Sequence, residues 1–176
     1  MARRWDEANA PQRAVRRFAA SGPGSWLFAR MLDRLDRLIF RVTKGRHMAS
    51  SLLSALPVAV VTTVGARSGQ ARTVPLLALP TDDGLAVIGS NYGNPKHPAW
   101  RHNLRANPDG EVEVEGRQWA FTAVEVEDDR RERIWQEALR TYPGYSAYAS
   151  RCAPRRISVF LLEPQPGVRR AGQDQG

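Results

Sequence analysis

The sequence predicts an α+β protein in which about six mostly antiparallel strands form a small barrel with peripheral helices. Short β-branched or alternating segments recur between residues 57 and 163. Tight turns join these segments in pairs, and helical periodicity is confined to the stretches outside the pairs. The chain has 176 residues, 42% hydrophobic and 25% charged, which is ordinary for one globular domain.

The N-terminal quarter of the chain carries most of the positive charge. The formal net charge is +8, and residues 1–46 hold 11 of the 26 basic but only 4 of the 18 acidic side chains. Residues 1–24 are rich in Arg and Ala with Pro and Gly breaks, so we predict a flexible basic arm. Apolar residues at helical spacing predict an amphipathic helix over 25–43. This helix either packs on the barrel or also touches an anionic membrane surface.

The first strands follow a connector. Val58 to Val64 is β-branched and continuously apolar, which predicts a buried strand. A turn over 65–70 leads to a second strand, Ala71 to Leu79. Pro75 inside that strand has no donor for the ladder, so it predicts a sheet edge or a bulge. An Asp-Asp-Gly turn leads to the third strand, Leu85 to Gly89.

The middle of the chain predicts a short helix and a second hairpin. Two X-Pro pairs exclude helix before Ala99, and Pro98 suits the position that opens it. An Asn-Pro pair at 107–108 ends this helix. Glu111 to Glu115 and Gln118 to Val126 alternate apolar and polar residues around a Glu-Gly turn, which predicts two paired strands.

The last third predicts two helices, a strand and a tail. We expect Asp128 to cap a helix that a Tyr-Pro-Gly sequence breaks, and a shorter helix to follow. Ile157 to Leu162 is an apolar strand, and residues 164–176 have the composition of a disordered tail. The predicted organisation is therefore an arm at 1–24, one domain at 25–163 with its barrel over 57–163, and a tail.

The turn after the first strand is the first candidate site. Arg67, Ser68 and Arg72 crowd this turn. Guanidinium groups and turn N–H groups together suit a phosphate or a carboxylate. The alternative is an exposed hairpin turn with two solvated arginines.

A second candidate site follows about one strand pair later. The run from Ser90 to Gly93 predicts a loop with little side-chain bulk, where backbone approaches a flat ring closely. Lys96, Trp100 and Arg101 add charge and an aromatic face at the entry to the helix. The alternatives are that Ser90 bonds its own backbone and that Trp100 is a core residue. Together the two candidate sites predict a place for a large, planar, anionic ligand.

Three tyrosines near the C-terminus form a third candidate site. Tyr142, Tyr145 and Tyr148 are three residues apart, a spacing that drifts by about 60° per step on a continuous helix. The Pro-Gly pair between the first two breaks the helix, so all three side chains are able to face one cleft. The alternative is an aromatic stripe in the core.

The sequence shows no motif for several other kinds of site. His97 and His102 are five residues apart and Cys152 is the only cysteine, so neither a metal site nor an internal disulfide is expected. Nucleophile signatures and the glycine-rich dinucleotide fingerprint are missing. No apolar run reaches the ~20 residues of a membrane span, and no secretory signal is recognisable. We expect a cytoplasmic protein, peripheral at the inner membrane face if the basic helix binds lipid.

Three motifs in one order carry a family resemblance. The turn GARSGQAR, the run SNYGNPKHPAWRHNLRANP and the later YPGYSAY resemble the deazaflavin-dependent nitroreductase family, over roughly residues 57–163. The resemblance implies a split β-barrel, similar to FMN-binding barrels, that binds the 8-hydroxy-5-deazaflavin coenzyme F-420. It also implies a role for each candidate site.

By this resemblance, the arginine turn faces the phosphate and oligoglutamate tail of the coenzyme. Ala66 stands where the family commonly has a basic residue, so this contact rests on Arg67 and Arg72. The strand from Thr73 to Leu77 would run along the ring. The implied cofactor-binding residues are Ala66, Arg67, Ser68, Arg72, Thr73, Val74, Pro75, Leu76, Leu77, Ile88, Gly89, Ser90, Asn91, Lys96, Ala99, Trp100, Arg101, Asn103 and Tyr145.

The resemblance also implies the catalytic residues. Ser90 matches the family serine near the redox face of the ring, and the tyrosines at 142, 145 and 148 match those that wall the substrate pocket. One tyrosine is proposed to donate a proton in the family, and Tyr145 is the first candidate here. An unperturbed tyrosine has a pKa near ~10, so it is protonated at neutral pH and able to act as an acid.

We therefore predict an oxidoreductase that transfers a hydride from reduced coenzyme F-420 to a quinone, a nitro compound or an activated enone. The alternatives are a split-barrel reductase that binds FMN and a deazaflavin carrier without turnover. A third alternative is a basic adaptor for membranes, nucleic acid being the less expected partner. The sequence does not decide between a monomer and an oligomer.

Overall fold

The computed structural model describes residues 58–166. The predicted arm, the amphipathic helix at 25–43, the connector and the end of the tail lie outside the described residues. The described elements, in chain order, are β1 (Val58–Val64), β2 (Ala71–Thr81), β3 (Gly84–Ile88), a 3-10 turn (Asn91–Gly93), α1 (Ala99–Ala106), β4 (Asp109–Val114), β5 (Arg117–Val126), α2 (Asp128–Thr141), α3 (Gly144–Cys152) and β6 (Val159–Pro164).

The six strands close into an antiparallel barrel in the order β1-β2-β3-β6-β5-β4. Each of the three hairpins joins strands that are neighbours in sequence, and β6 closes the barrel between β3 and β5. The prediction of an α+β barrel of about six antiparallel strands with peripheral helices is therefore confirmed.

The first half of β2 forms a split edge, a stretch that pairs with a strand on one side only within residues 58–166. Residues from Ala71 to Leu77 pair with β1, whereas pairing with β3 begins only at Ala78. Continued in register, β3 would bring Ile88 opposite Leu77. Instead the chain leaves β2 there, and the Gly89 N–H donates to the Ser158 carbonyl at 2.8 Å. Pro75 lies in the half-paired stretch, as its missing donor predicted.

Strand alternation divides the buried side chains between two clusters. All six strands send residues into a cluster inside the barrel, and α1 adds Trp100 and Leu104 to it. The opposite face of β2, β3, β5 and β6 packs against α2 and α3 in a second cluster, which contains the three tyrosines. The helices α2 and α3 therefore cover one outer wall of the barrel.

Some predicted boundaries are shifted. Strand β2 runs two residues past Leu79, because Thr81 pairs with Gly84. Strand β3 ends at Ile88 rather than Gly89, and β4 begins at Asp109.

The last strand is displaced by two residues toward the C-terminus. The carbonyls of Ile157 and Ser158 accept from Arg131 and Gly89 instead of a strand partner, so β6 begins at Val159. The predicted tail begins too early, because Pro164 is in β6 and the Gln165 side chain donates to Asp109 at 3.0 Å.

The predicted helix cap at Asp128 is wrong. Asp128 is the first helical residue, with a φ of +49°, and Glu127 precedes it without a side-chain cap. A capping side chain must come from the residue before the helix, so Asp128 lies one position too late.

Candidate functional site

The arginine turn, residues 65–72, is a tight and solvent-exposed structure. The Gly65 N–H donates to the Gln70 carbonyl and the Gly69 N–H to the Gly65 carbonyl, both at 2.8 Å. A Cβ at Gly65 would lie 2.6 Å from the Ser68 Oγ and 3.2 Å from the Gln70 carbonyl oxygen, so glycine allows the turn to close this tightly. Arg67 and Arg72 are both exposed, and neither forms an ion pair with a carboxylate of residues 58–166. Two positive charges are therefore available to an anion.

Helix α1 fixes the position of the arginine turn through Asn103. The Asn103 Oδ1 accepts from the Ala66 N–H at 3.0 Å, and its Nδ2 donates to Thr63 Oγ1 at 3.0 Å. Because Asn103 is buried, these two bonds join α1, β1 and the turn with little access for water. Asn103 is thus a support for the turn.

The serine loop, residues 89–94, is held by an arginine that the sequence analysis missed. Arg155 donates to the carbonyls of Gly89 at 3.1 Å, Ser90 at 2.8 Å and Asn94 at 2.8 Å. Arg151 donates to the Tyr92 carbonyl at 3.2 Å. Both arginines come from α3 or the residues just after it, so the helix that carries Tyr145 is tied to the serine loop.

The serine loop does not have the low bulk that was predicted. Asn91, Tyr92 and Gly93 have φ values of +48°, +53° and +78°, and the Tyr92 side chain is 49% exposed. Asn91 Nδ2 donates to the Lys96 carbonyl at 2.9 Å. Lys96 and Ala99 are exposed on the segment that follows.

Two predicted site residues on α1 point into the protein. Trp100 is only 7% exposed and packs against Phe160 with ring centroids 5.7 Å apart, as the core alternative required. The Arg101 Nε donates to Ser158 Oγ at 2.7 Å, and its Nη2 lies 3.5 Å from Glu125 Oε1. The Arg101 guanidinium is thus already engaged within the protein, and its backbone N–H donates to the Pro98 carbonyl at 3.2 Å.

Glu125 is the acidic partner in this cluster. Burial opposes its ionisation, but hydrogen bonds from Arg105 and Ser158 and the charge of Arg101 lower its pKa below the ordinary value. The nearby His97 also has a lowered pKa, because of burial and then the positive charges of Arg101 and Arg155. Glu125 is therefore anionic and His97 neutral at pH 7.

The split edge connects the two candidate sites. Thr73 and Pro75 are exposed on the half-paired stretch of β2, and Val74, Leu76 and Leu77 are half-buried. Ile88 and Gly89 are buried where β3 departs. The arginine turn lies at one end of this stretch and the serine loop follows its other end, while α1, about 12 Å long, joins them on a second path.

The three tyrosines form one buried cluster. Tyr142, Tyr145 and Tyr148 are 4%, 3% and 4% exposed. The hydroxyls of Tyr142 and Tyr148 are 2.9 Å apart and hydrogen-bonded, and the ring centroids lie between 5.4 and 6.1 Å apart. The three side chains thus lie together, as the sequence analysis expected. They are packed as an aromatic cluster in the core, which was the alternative to a cleft.

Burial raises the pKa of Tyr145 well above its ordinary value, and the neighbouring Tyr148 adds to this effect. Burial also raises the pKa of Tyr148 and of Tyr142. The Tyr145 hydroxyl makes no hydrogen bond to the side chains of residues 58–166. The Tyr145 hydroxyl is therefore a protonated donor at neutral pH.

These features fit a planar ligand with an anionic tail. The exposed guanidinium groups at one end suit the tail. A strand edge whose outer backbone groups pair with no other strand of residues 58–166 suits a ring that carries both donors and acceptors. Residues 58–166 contain no group of three His, Cys, Asp or Glu arranged to hold a metal ion. Within the same residues, no helix is long and apolar enough to cross a membrane.

Known proteins are similar to this chain in sequence. Residues 32–164 match the family model described as F-420H(2)-dependent quinone reductase. The F-420H(2)-dependent quinone reductase of Mycobacterium tuberculosis is 35% identical over 134 residues, which cover 74% of this chain and 89% of that protein.

Two solved structures share the fold. One, described as an F-420-H2 dependent reductase, is 38% identical with a TM-score of 0.57 and covers 61% of this chain and 94% of its own. The other, described as a domain-swapped dimer, is 33% identical with a TM-score of 0.59 and covers 81% of this chain and all of its own. Since the family model spans most of the sequence, the chain belongs to the F-420H(2)-dependent quinone reductase family.

Proposed function

We propose that this protein transfers a hydride from reduced coenzyme F-420 to a quinone. Family membership supports the reaction, and one structural observation carries the assignment of its site. The split edge of β2 begins at two arginines without acidic partners among residues 58–166 and ends where β3 departs toward the serine loop. A ring with a negatively charged tail matches that order of groups.

The coenzyme, when bound, supplies the hydride, and the protein supplies binding and orientation. Arg67, Ser68 and Arg72 would hold the tail. The strand from Thr73 to Leu77 would lie along the ring, with backbone contacts from Ile88 to Asn91. Asn103 and Trp100 would act indirectly, by fixing the turn and α1, and Lys96 would add positive charge at the helix entry.

Tyr145 would donate a hydrogen bond to an oxygen of the acceptor. Its hydroxyl lacks a side-chain partner among residues 58–166, and its raised pKa keeps it protonated. A donor with a raised pKa gives up its proton reluctantly, so we assign to water the one proton that, with the hydride, completes the hydroquinone. Tyr142 and Tyr148 would position Tyr145 through ring contacts.

The test is an anaerobic titration followed by a turnover assay. We expect oxidised coenzyme F-420 to bind with quenching of its fluorescence, and menadione to oxidise the reduced coenzyme only when protein is present. If the protein binds the coenzyme but menadione does not oxidise the reduced form, the protein is a carrier and not a reductase. Binding of FMN with no affinity for coenzyme F-420 would select the FMN alternative and reject the proposal.

Tyr145→Phe separates the tyrosine role from folding. The substitution removes one hydroxyl from the cluster, so we expect kcat with menadione to fall about tenfold, the loss of one hydrogen bond. Coenzyme affinity and melting temperature should stay near the wild-type values. An unchanged kcat would show that Tyr145 does not touch the acceptor.

The acceptor range and the membrane contact extend the same proposal. Nitroarenes and activated enones are flat electrophiles that accept a hydride, so a substrate panel with menadione as reference tests them together. The basic residues 1–46 would bring the protein to anionic lipid, where quinones reside. Co-sedimentation with phosphatidylserine vesicles should weaken on deletion of residues 1–24 and at high salt, whereas salt-independent binding would contradict the electrostatic contact.

A further inference from the structure

The serine loop carries an exposed aromatic ring that the proposed function leaves unused. Tyr92 is 49% exposed, more than Val64 at 38% or Val124 at 39%, which are the other exposed large hydrophobic residues within 58–166. A tyrosine with half of its surface exposed leaves much of its ring open to a ligand.

The backbone at Tyr92 is in an unfavourable region. Its φ of +53° and ψ of +24° lie in the left-handed region, where a bulky side chain is rare. Glycine would avoid a cost on the order of 1 kcal/mol at this position. Strained residues of this kind concentrate at ligand sites, where surrounding contacts hold them.

Those contacts place the ring at the rim of the tyrosine cluster. The Tyr92 ring meets Tyr148 edge to face, with centroids 6.2 Å apart and planes at 70°. Arg151 donates to the Tyr92 carbonyl and also lies over the Tyr148 ring, 4.9 Å from its centroid. A Cβ at Gly93 would lie 3.1 Å from the Tyr148 Cα, so a glycine there permits this close approach.

We propose that Tyr92 is a specificity-determining residue that forms the outer wall of the acceptor site and selects flat aromatic acceptors. This inference rests on the proposed function. Tyr142, Tyr145 and Tyr148 are each under 5% exposed, so an acceptor arriving beside the serine loop meets Tyr92 first. A planar quinone gains stacking or edge contact with that ring, whereas a small or non-planar acceptor gains less.

Tyr92→Gly tests the proposal because it separates recognition from folding. Glycine relieves the left-handed strain, which offsets the lost ring contact with Tyr148, so the melting temperature should stay near the wild-type value. Loss of an aromatic contact, on the order of 1 kcal/mol, should raise the KM for menadione about fivefold. We expect kcat and the dissociation constant of coenzyme F-420 to change less than twofold, and Tyr92→Phe to restore the wild-type KM.

A matched control and a binding measurement complete the test. Val124→Ala removes another exposed apolar side chain, from β5, and should leave the KM unchanged. Calorimetric titration of menadione into the complex with oxidised coenzyme should show the same fivefold loss for Tyr92→Gly.

A KM and affinity for menadione equal to wild type in Tyr92→Gly would overturn the proposal, as would an equal change in Val124→Ala. If the wild type binds menadione without reducing it, the proposed function fails. The affinity comparison still decides the role of Tyr92 in that case.

Discussion

At the scale of single residues, the proposed site depends on charges that the fold leaves free and on supports that it buries. Arg67 and Arg72 are exposed, while Asn103 beneath them is buried with both ends of its amide bonded. The basic turn was visible in the sequence, because clustered arginines are a local pattern. The supporting role of Asn103 was not, because its partners lie 37 and 40 residues away.

Arg67→Gln should weaken coenzyme binding. One charge-assisted contact to the tail is worth about 1.5 kcal/mol, so we expect about a tenfold rise in the dissociation constant. Fluorescence titration at several salt concentrations measures the affinity and its salt dependence. Arg117→Gln is the matched control, since Arg117 is an exposed arginine at a different hairpin. Equal losses in the two variants would place the tail elsewhere.

Asn103→Leu should destabilise the protein. The change leaves the Ala66 N–H without its acceptor and removes one donor from the Thr63 hydroxyl, which still donates to the Arg72 carbonyl. Unsatisfied buried groups cost about 1–3 kcal/mol, so the midpoint of urea denaturation should fall accordingly. Coenzyme affinity should fall too, because the arginine turn loses its support. Wild-type stability of Asn103→Leu would contradict the role of Asn103 as a support for the turn.

At the scale of elements, whether a segment is a helix or a strand was easier to predict than where it begins and ends. The spans of β1 and α1 matched the expectations closely, because a β-branched run and flanking prolines mark their own limits. Strand β6 shifted by two residues because tertiary bonds use the carbonyls of Ile157 and Ser158. The tyrosine cluster was predicted, but the sequence left open whether it faces a cleft or the core, because sequence spacing does not reveal which surface covers a helix.

The link between α3 and the serine loop should depend on Arg155. Arg155→Met removes the donors to Gly89, Ser90 and Asn94 while it keeps much of the apolar stem. We expect faster amide hydrogen exchange confined to residues 89–94 and a weaker affinity for the coenzyme. Arg156→Met, at the exposed neighbouring position, is the control and should change neither. Unchanged exchange in Arg155→Met would show that other contacts hold the loop.

At the scale of the whole molecule, the perturbed groups limit stability from both sides of neutral pH. His97 and Glu125 have lowered pKa values, so the unfolded chain binds more protons than the folded one. Their contribution is present above their ordinary pKa values of 6.5 and 4.5 and is lost as pH falls. The buried tyrosines have raised pKa values, so their contribution is lost as pH rises above 10.

We therefore expect maximal stability between about pH 6.5 and pH 10. Urea denaturation across pH measures this directly, and the tyrosinate absorbance of the three buried tyrosines should appear only with unfolding at the alkaline limit. Glu125→Gln should remove part of the acid dependence and cost about 2 kcal/mol near pH 7, because Arg101 would lose its partner. Ionisation of Tyr142, Tyr145 or Tyr148 in the folded protein near pH 10 would contradict the alkaline limit.

The half-paired stretch of β2 has a consequence beyond catalysis. Backbone groups exposed along a strand invite any other extended chain to add itself there. Pro75 has no backbone N–H to donate to an added strand. The positive charge of Arg72 repels a second copy of the same strand. Purified protein stored without its coenzyme should therefore form aggregates sooner than the loaded form, and replacing Pro75 by valine should hasten that loss.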